Sequence, residues 1–137
     1  MELSRNFTLE EMIYSKTARS LKISNEPNLV QIENLKKLCR MILQPIRERW
    51  GRPIKISSGY RSQLLNKKIG GALTSQHLNG EAADIFCQNN KELWRLIIQM
   101  IERGEITVGQ LIDEENLSWI HISSPGEKHR NQILRIP

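Results

Sequence analysis

The stretch Ser75-Gln76-His77-Leu78-Asn79-Gly80-Glu81-Ala82-Ala83-Asp84 sets a histidine and an aspartate on either side of a glycine. Glycine adopts positive φ without steric cost, so His77 and Asp84 are expected on opposite arms of a tight turn. Imidazole nitrogen and carboxylate oxygen are both zinc donors, at roughly 2.0–2.2 Å. A third donor stands in Trp119-Ile120-His121-Ile122-Ser123. Strand alternation there turns His121 away from Ile120 and Ile122, which are left to face the core. Two histidines and one aspartate would leave one tetrahedral position for water, the arrangement of hydrolytic rather than structural zinc; by spacing alone, a structural histidine in the turn is the stronger reading.

Outward from this stretch, Ile54-Lys55-Ile56 alternates as a strand, and Ser57-Ser58-Gly59-Tyr60-Arg61 turns the chain at its end. Further upstream, Thr8-Leu9-Glu10-Glu11 is a capping-box start for a short helix to about Ser15. Pro27 opens a long amphipathic helix carrying Leu29, Ile32, Leu35, Leu38, Ile42 and Ile46 on one stripe, stopped at Trp50-Gly51. Pro45 should kink or divide it. Downstream, Leu93, Leu96, Ile97 and Met100 predict a helix over 90–103, with Gly104 as its stop. Segments 110–113, 119–123 and 132–136 read as short strands, the first two forming a hairpin. Helices first and hairpins later indicate an α+β domain with a central antiparallel sheet flanked by helices.

The chain of 137 residues fits one domain, 1–137, with 39% hydrophobic and 26% charged residues and no repeats, which argues against disorder. Its net charge of +5 is scattered, and only 5% of residues are aromatic, so nucleic acid is not an expected partner. Cys39 and Cys87 stand alone and read as reduced, buried small residues. The opening segment Met1 to Met12 has neither a basic region nor an apolar core of export-signal type, and no apolar run would span a bilayer. Synthesis in the cytoplasm, no membrane partner and a monomer are the expectations. Gly70-Gly71 lacks the lysine and helix start of a phosphate loop, and His129 falls in a loop composition that suits a solvated side chain.

The motif Ser-x-His-x-x-Gly-x-Ala-x-Asp at 75–84, with Ser58-Gly59-Tyr60-Arg61 before it and Trp119-Ile120-His121-Ile122 after it, resembles the zinc D-Ala-D-Ala carboxypeptidase family. The likeness runs from Phe7-Thr8-Leu9-Glu10-Glu11 to about Ile133. It implies the fold shared with the hedgehog signalling domain, and hydrolysis of murein peptides as carboxypeptidase, dipeptidase or L-alanyl-D-glutamate endopeptidase. It further implies His77, Asp84 and His121 as ligands of Zn2+, Arg61 as the group that binds a substrate carboxylate, and Ser75 as a substrate contact. Many relatives carry an acidic base three residues before the last histidine, where this chain has Ser118. Another branch carries a glutamate at the end of a Gln-Leu-Ile strand, matched by Gln110-Leu111-Ile112-Asp113-Glu114. Glu114 is therefore the expected base, with Glu115 and then Asp113 as alternatives.

The implied reaction is zinc-assisted hydrolysis of a peptidoglycan stem peptide, with Glu114 moving the proton. A murein hydrolase without an export signal would reach its substrate after the membrane is breached, as in phage-driven lysis. Lysis favours the internal L-Ala-D-Glu bond, the endolysin activity of a phage or prophage type. The alternatives are a D-Ala-D-Ala carboxypeptidase, or a zinc-containing murein-binding module without turnover.

Overall fold

The computed structural model describes residues 1–137. In chain order it has β1 (Glu2–Ser4), β2 (Phe7–Thr8), α1 (Leu9–Ile13), α2 (Lys16–Leu21), α3 (Leu29–Leu38), a π turn (Cys39–Leu43), α4 (Gln44–Trp50), β3 (Lys55–Ser58) and α5 (Gln63–Lys68). A 3-10 turn (Gln76–Asn79), β4 (Ala82–Phe86), α6 (Asn90–Glu102), β5 (Gln110–Glu114), β6 (Trp119–Ser123) and β7 (Gln132–Ile136) complete it. No helix is long and apolar enough to cross a membrane.

The capping box at Thr8 forms as expected, with Glu11 as its partner. The first helix ends at Ile13, short of Ser15, because the Ser15 hydroxyl accepts from the Ala18 N–H and starts a separate helix. The long amphipathic run begins one residue past Asn28, whose side chain and Gln31 make a second capping box. It passes Pro45 without dividing. A π turn precedes the proline, with the Gln44 N–H reaching the Cys39 carbonyl; widening there accommodates a ring that would clash with a regular helical carbonyl. Gly51, at φ 75°, ends the run.

Five strands form one sheet in the order β3-β4-β6-β5-β7. Its pairs are antiparallel except β5 with β7, which run parallel. The parallel edge departs from the all-antiparallel expectation. After β6 the chain loops back to Asn131, whose backbone N–H donates to the Val108 carbonyl while its side chain accepts from the Val108 N–H. That pair starts β7 beside the beginning of β5, which fixes its direction.

One face of the sheet, carrying Ala83, Ile85, Leu111, Ile120 and Ile122, is fully buried with Leu35, Leu38, Ile42 and Ile46 from the long helical run and Leu93, Ile97 and Met100 from α6. The stripe of the long run reaches the core only from Leu35 on; Leu29, at its start, is 81% exposed. Cys39 is fully buried, and burial pushes its thiol up to about 12. Cys87 lies just beyond β4, half-buried against the core.

Gly59 follows β3 where the chain crosses α1, and the next residue, Tyr60, donates its N–H to the Met12 carbonyl at 2.8 Å. A Cβ at Gly59 would run into that same carbonyl oxygen, backbone that cannot swing aside. Gly59→Ala is expected to destabilise the fold by about 1–3 kcal/mol through overpacking. Urea unfolding would show it as a lowered midpoint; an unchanged midpoint would mean that the crossing has room for a methyl group.

Candidate metal centre

The other face of the sheet carries the chemistry. Antiparallel register sets Asp84 opposite His121 and His121 opposite Ile112, so these side chains share one side. Ser58, opposite Asp84, joins them from β3. Two residues along β5, Glu114 faces the same side opposite Trp119. Ile120 and Ile122 are buried in the core beneath, as the alternation of β6 requires.

His77 reaches this face from the 3-10 turn. The Ser75 hydroxyl caps the turn by accepting from the His77 N–H, and Gly80 leaves it at φ 73°. Helix α3 holds the turn in place: Gln31 Nε2 donates to the Leu78 carbonyl and Asn34 Nδ2 to the Asn79 carbonyl. A Cβ at Gly80 would meet the Gln31 carbonyl oxygen at 2.7 Å, so glycine serves both the positive φ and the close packing on α3.

The ligand-type atoms of His77, Asp84 and His121 all lie within 4.8 Å of one another. Asp84 Oδ1 is 3.3 Å from His77 Nε2 and 3.1 Å from His121 Nδ1. A tetrahedral ion with bonds of roughly 2.0–2.1 Å needs donor atoms about 3.3 Å apart, which these separations match. His77 Nδ1 is 2.7 Å from the Gly59 carbonyl oxygen, which only accepts, so this nitrogen carries the proton and Nε2 offers a lone pair. The Asp84 carboxyl is buried, which by itself raises its pKa; where the two rings are protonated, hydrogen bonds and charge from His121 and His77 outweigh burial and hold it well below the usual carboxylate range, and where they are neutral their lone pairs face the same point. An anionic oxygen and two imidazoles converging on one point fit a divalent cation of borderline softness.

Arg61 and Ser75, both singled out from the sequence, come to the rim of this group. Arg61 Nη2 donates to Asp84 Oδ2 at 3.3 Å, Nε to the Ser58 hydroxyl at 3.0 Å and Nη1 to Asn66 Oδ1 at 3.2 Å. The guanidinium has five N–H donors, so two remain for a substrate. Burial lowers the Arg61 pKa and the Asp84 charge partly restores it. Ser75 Oγ accepts from His77 and keeps its own proton to donate.

The three carboxylates in 113–115 separate by register. Asp113 is buried on the opposite side, opposite Ile120, and accepts from the Leu117 N–H at 2.6 Å. Glu115 is exposed in the β5-β6 turn at φ 48°. Of the three, only Glu114 points along the face of Asp84 and His121. Burial raises its pKa above the ordinary value, the Asp84 charge raises it further and His121 lowers it, so its charge is felt at the centre.

Two residues not anticipated from the sequence belong to the centre. Asn66 is buried, accepting from Arg61 and donating to the Ala72 carbonyl. Its helix α5 has too little apolar periodicity to be read from the residues alone. Gln76 Oε1 lies 3.1 Å from His121 Nε2; its place beside His77 in the motif is the one signal that could have found it. His129 stays apart, in the loop before β7, and Tyr60 is buried in the core with its hydroxyl pKa raised by burial.

Comparison with curated proteins finds no match. The family model described as Peptidase M15 matches residues 5–123, a span containing every side chain of the centre. The match covers most of the chain, and its fold of helices around a five-stranded sheet is that of the family. The chain belongs to the M15 peptidase family, a family of metallopeptidases.

Proposed function

We propose that this protein is a zinc-dependent endopeptidase of peptidoglycan stem peptides, most favourably placed to cut between L-Ala and D-Glu. The observation that carries the reading is the convergence of His77 Nε2, Asp84 Oδ1 and His121 Nδ1, with Glu114 on the same face of the next strand. These three atoms would hold zinc. The ion would supply Lewis-acid polarisation of a peptide carbonyl and a water acidified to a pKa of about 7.

The residues of the chain do the rest. Glu114, its carboxylate made more basic by burial, accepts the proton of the attacking water and returns it to the departing amine. Arg61 and Ser75 hold the substrate: the two remaining guanidinium N–H groups suit a carboxylate taken in bidentate fashion. Because Arg61 also touches Asp84, that carboxylate must sit on the residue next to the scissile bond. A γ-linked D-Glu meets this requirement, and so does a terminal D-Ala, which is what favours carboxypeptidase action as the second reading.

The side chains flanking the metal-binding residues also favour the internal cut. Lys55, Phe86, Trp119, Glu114 and Ile136 form a row across all five strands beside the metal-binding residues. Phe86 and Trp119 are half-buried and stand outside the core cluster, while Lys55 and Ile136 at the sheet edges are exposed. An extended substrate laid along this row would continue past the cut on both sides.

Digestion of a defined stem pentapeptide followed by mass analysis tests the assignment. New L-Ala and D-Glu ends are expected. Release of the terminal D-Ala alone would replace the endopeptidase with a carboxypeptidase, and binding without turnover would leave a murein-binding module.

A further inference from the structure

We infer that Gln76 is a positioning residue that biases His121 toward the tautomer presenting Nδ1 to the metal. His121 lies on β6, and its Nδ1 is the atom turned to Asp84. The opposite nitrogen, Nε2, meets Gln76 Oε1 at 3.1 Å. A neutral imidazole carries one proton, so whichever nitrogen donates leaves the other with the lone pair. Two acceptors compete for that proton, Asp84 Oδ1 at Nδ1 and Gln76 Oε1 at Nε2, each at 3.1 Å, so Gln76 shifts the balance toward the form whose Nδ1 is free.

His77 obtains the same service from the Gly59 carbonyl oxygen at 2.7 Å, which no side-chain substitution can remove. For His121 the acceptor is a side chain, and an amide has two faces: its oxygen accepts but its nitrogen donates. An amide turned over would leave the proton on Nδ1, pointing into the metal position. The capped 3-10 turn fixes where the amide sits against His121, because Gln76 is its first residue and the turn is tied down by Ser75, Gln31 and Asn34. One short turn thus supplies His77 as a ligand and orients His121, whose strand lies more than forty residues downstream.

Three substitutions separate this role from plain packing. Gln76→Glu keeps an acceptor, Gln76→Leu removes all hydrogen bonding, and Gln76→Lys offers donors only. Long-range nitrogen-proton NMR of the metal-free protein reads the His121 tautomer directly, without reference to zinc or turnover. Against the competing Asp84 carboxylate, the Nε2-protonated share is expected to be highest in Gln76→Glu, lower in wild type, lower again in Gln76→Leu and lowest in Gln76→Lys. The effect on metal rests on the zinc reading above. Competition against a chelator should show affinity retained in Gln76→Glu and weakened about 10–100-fold in Gln76→Leu, the usual cost of losing an outer partner of a ligand. Gln76→Lys should be weaker still. Thermal melts establish that the variants are folded, and the Glu and Lys variants carry the comparison if Leu does not fold. A His121 tautomer indifferent to residue 76 would overturn the inference even if zinc binds. Wild-type protein that takes no zinc but shows the tautomer dependence would overturn the zinc reading and leave the inference standing.

Discussion

Replacing His121 or His77 by alanine is expected to strip the protein of zinc and to lower kcat/KM by at least ~10³-fold, the equivalent of several kcal/mol of lost Lewis-acid stabilisation. Each substitution leaves two donors of three, and each also frees a polar partner: Gly59 loses the donor at its carbonyl, or Gln76 loses its contact. His77 is 3% exposed, so its loss also leaves a hole beneath the turn. His121 is the cleaner test because its ring is less buried. Elemental analysis of protein purified without a metal-binding tag should give near one zinc per chain for wild type and little for either variant. Full metal content in both variants would show that the ion, if present, is held elsewhere.

Glu114→Gln should act differently, cutting kcat by about 10²–10⁴-fold while zinc content stays at the wild-type level. Glutamine fills the same space but cannot take a proton. The pH profile provides a second readout. A general base works only when deprotonated, so activity should fall as pH drops through the Glu114 pKa. Burial and the Asp84 charge raise that pKa, so the acid limb should lie above the ordinary glutamate value of 4.5. Residual activity in the glutamine variant should lack this limb. Glu115→Gln, altering an exposed turn residue, should be mild. A severe Glu115 variant beside a mild Glu114 variant would transfer the role.

Much of this was legible in the residues because local chemistry wrote it there. Asp84 and His77 flank a glycine that the turn requires, and Trp119-Ile120-His121-Ile122-Ser123 alternates so strongly that the outward face of His121 could be read directly. What could not be read depended on partners distant in sequence. The choice among Asp113, Glu114 and Glu115 turns on the pairing of Glu114 with Trp119, since a shift of one residue would send the side chain to the other face. Asn66 and Gln76 carry no periodicity and show their purpose only once Arg61 and His121 are beside them. The direction of β7 depended on where a loop closes, which the strand residues themselves do not encode.

That last strand has a bearing on how firmly Glu114 is held. β5 and β6 are joined by a four-residue turn and can zip together locally, whereas β7 needs a longer excursion before it docks. It is an edge strand with most of its side chains exposed, the kind of element that opens without global unfolding. Yet the Ile136 carbonyl accepts from the Glu115 N–H, and Glu114 lies beside Ile136 in the ladder. When β7 is docked, β5 is an interior strand; when β7 frays, β5 becomes an edge and the segment bearing Glu114 loses its outer support. Part of the support of Glu114 is thus lent by an exposed edge strand, so breathing of that edge is a motion felt at the position of this carboxylate.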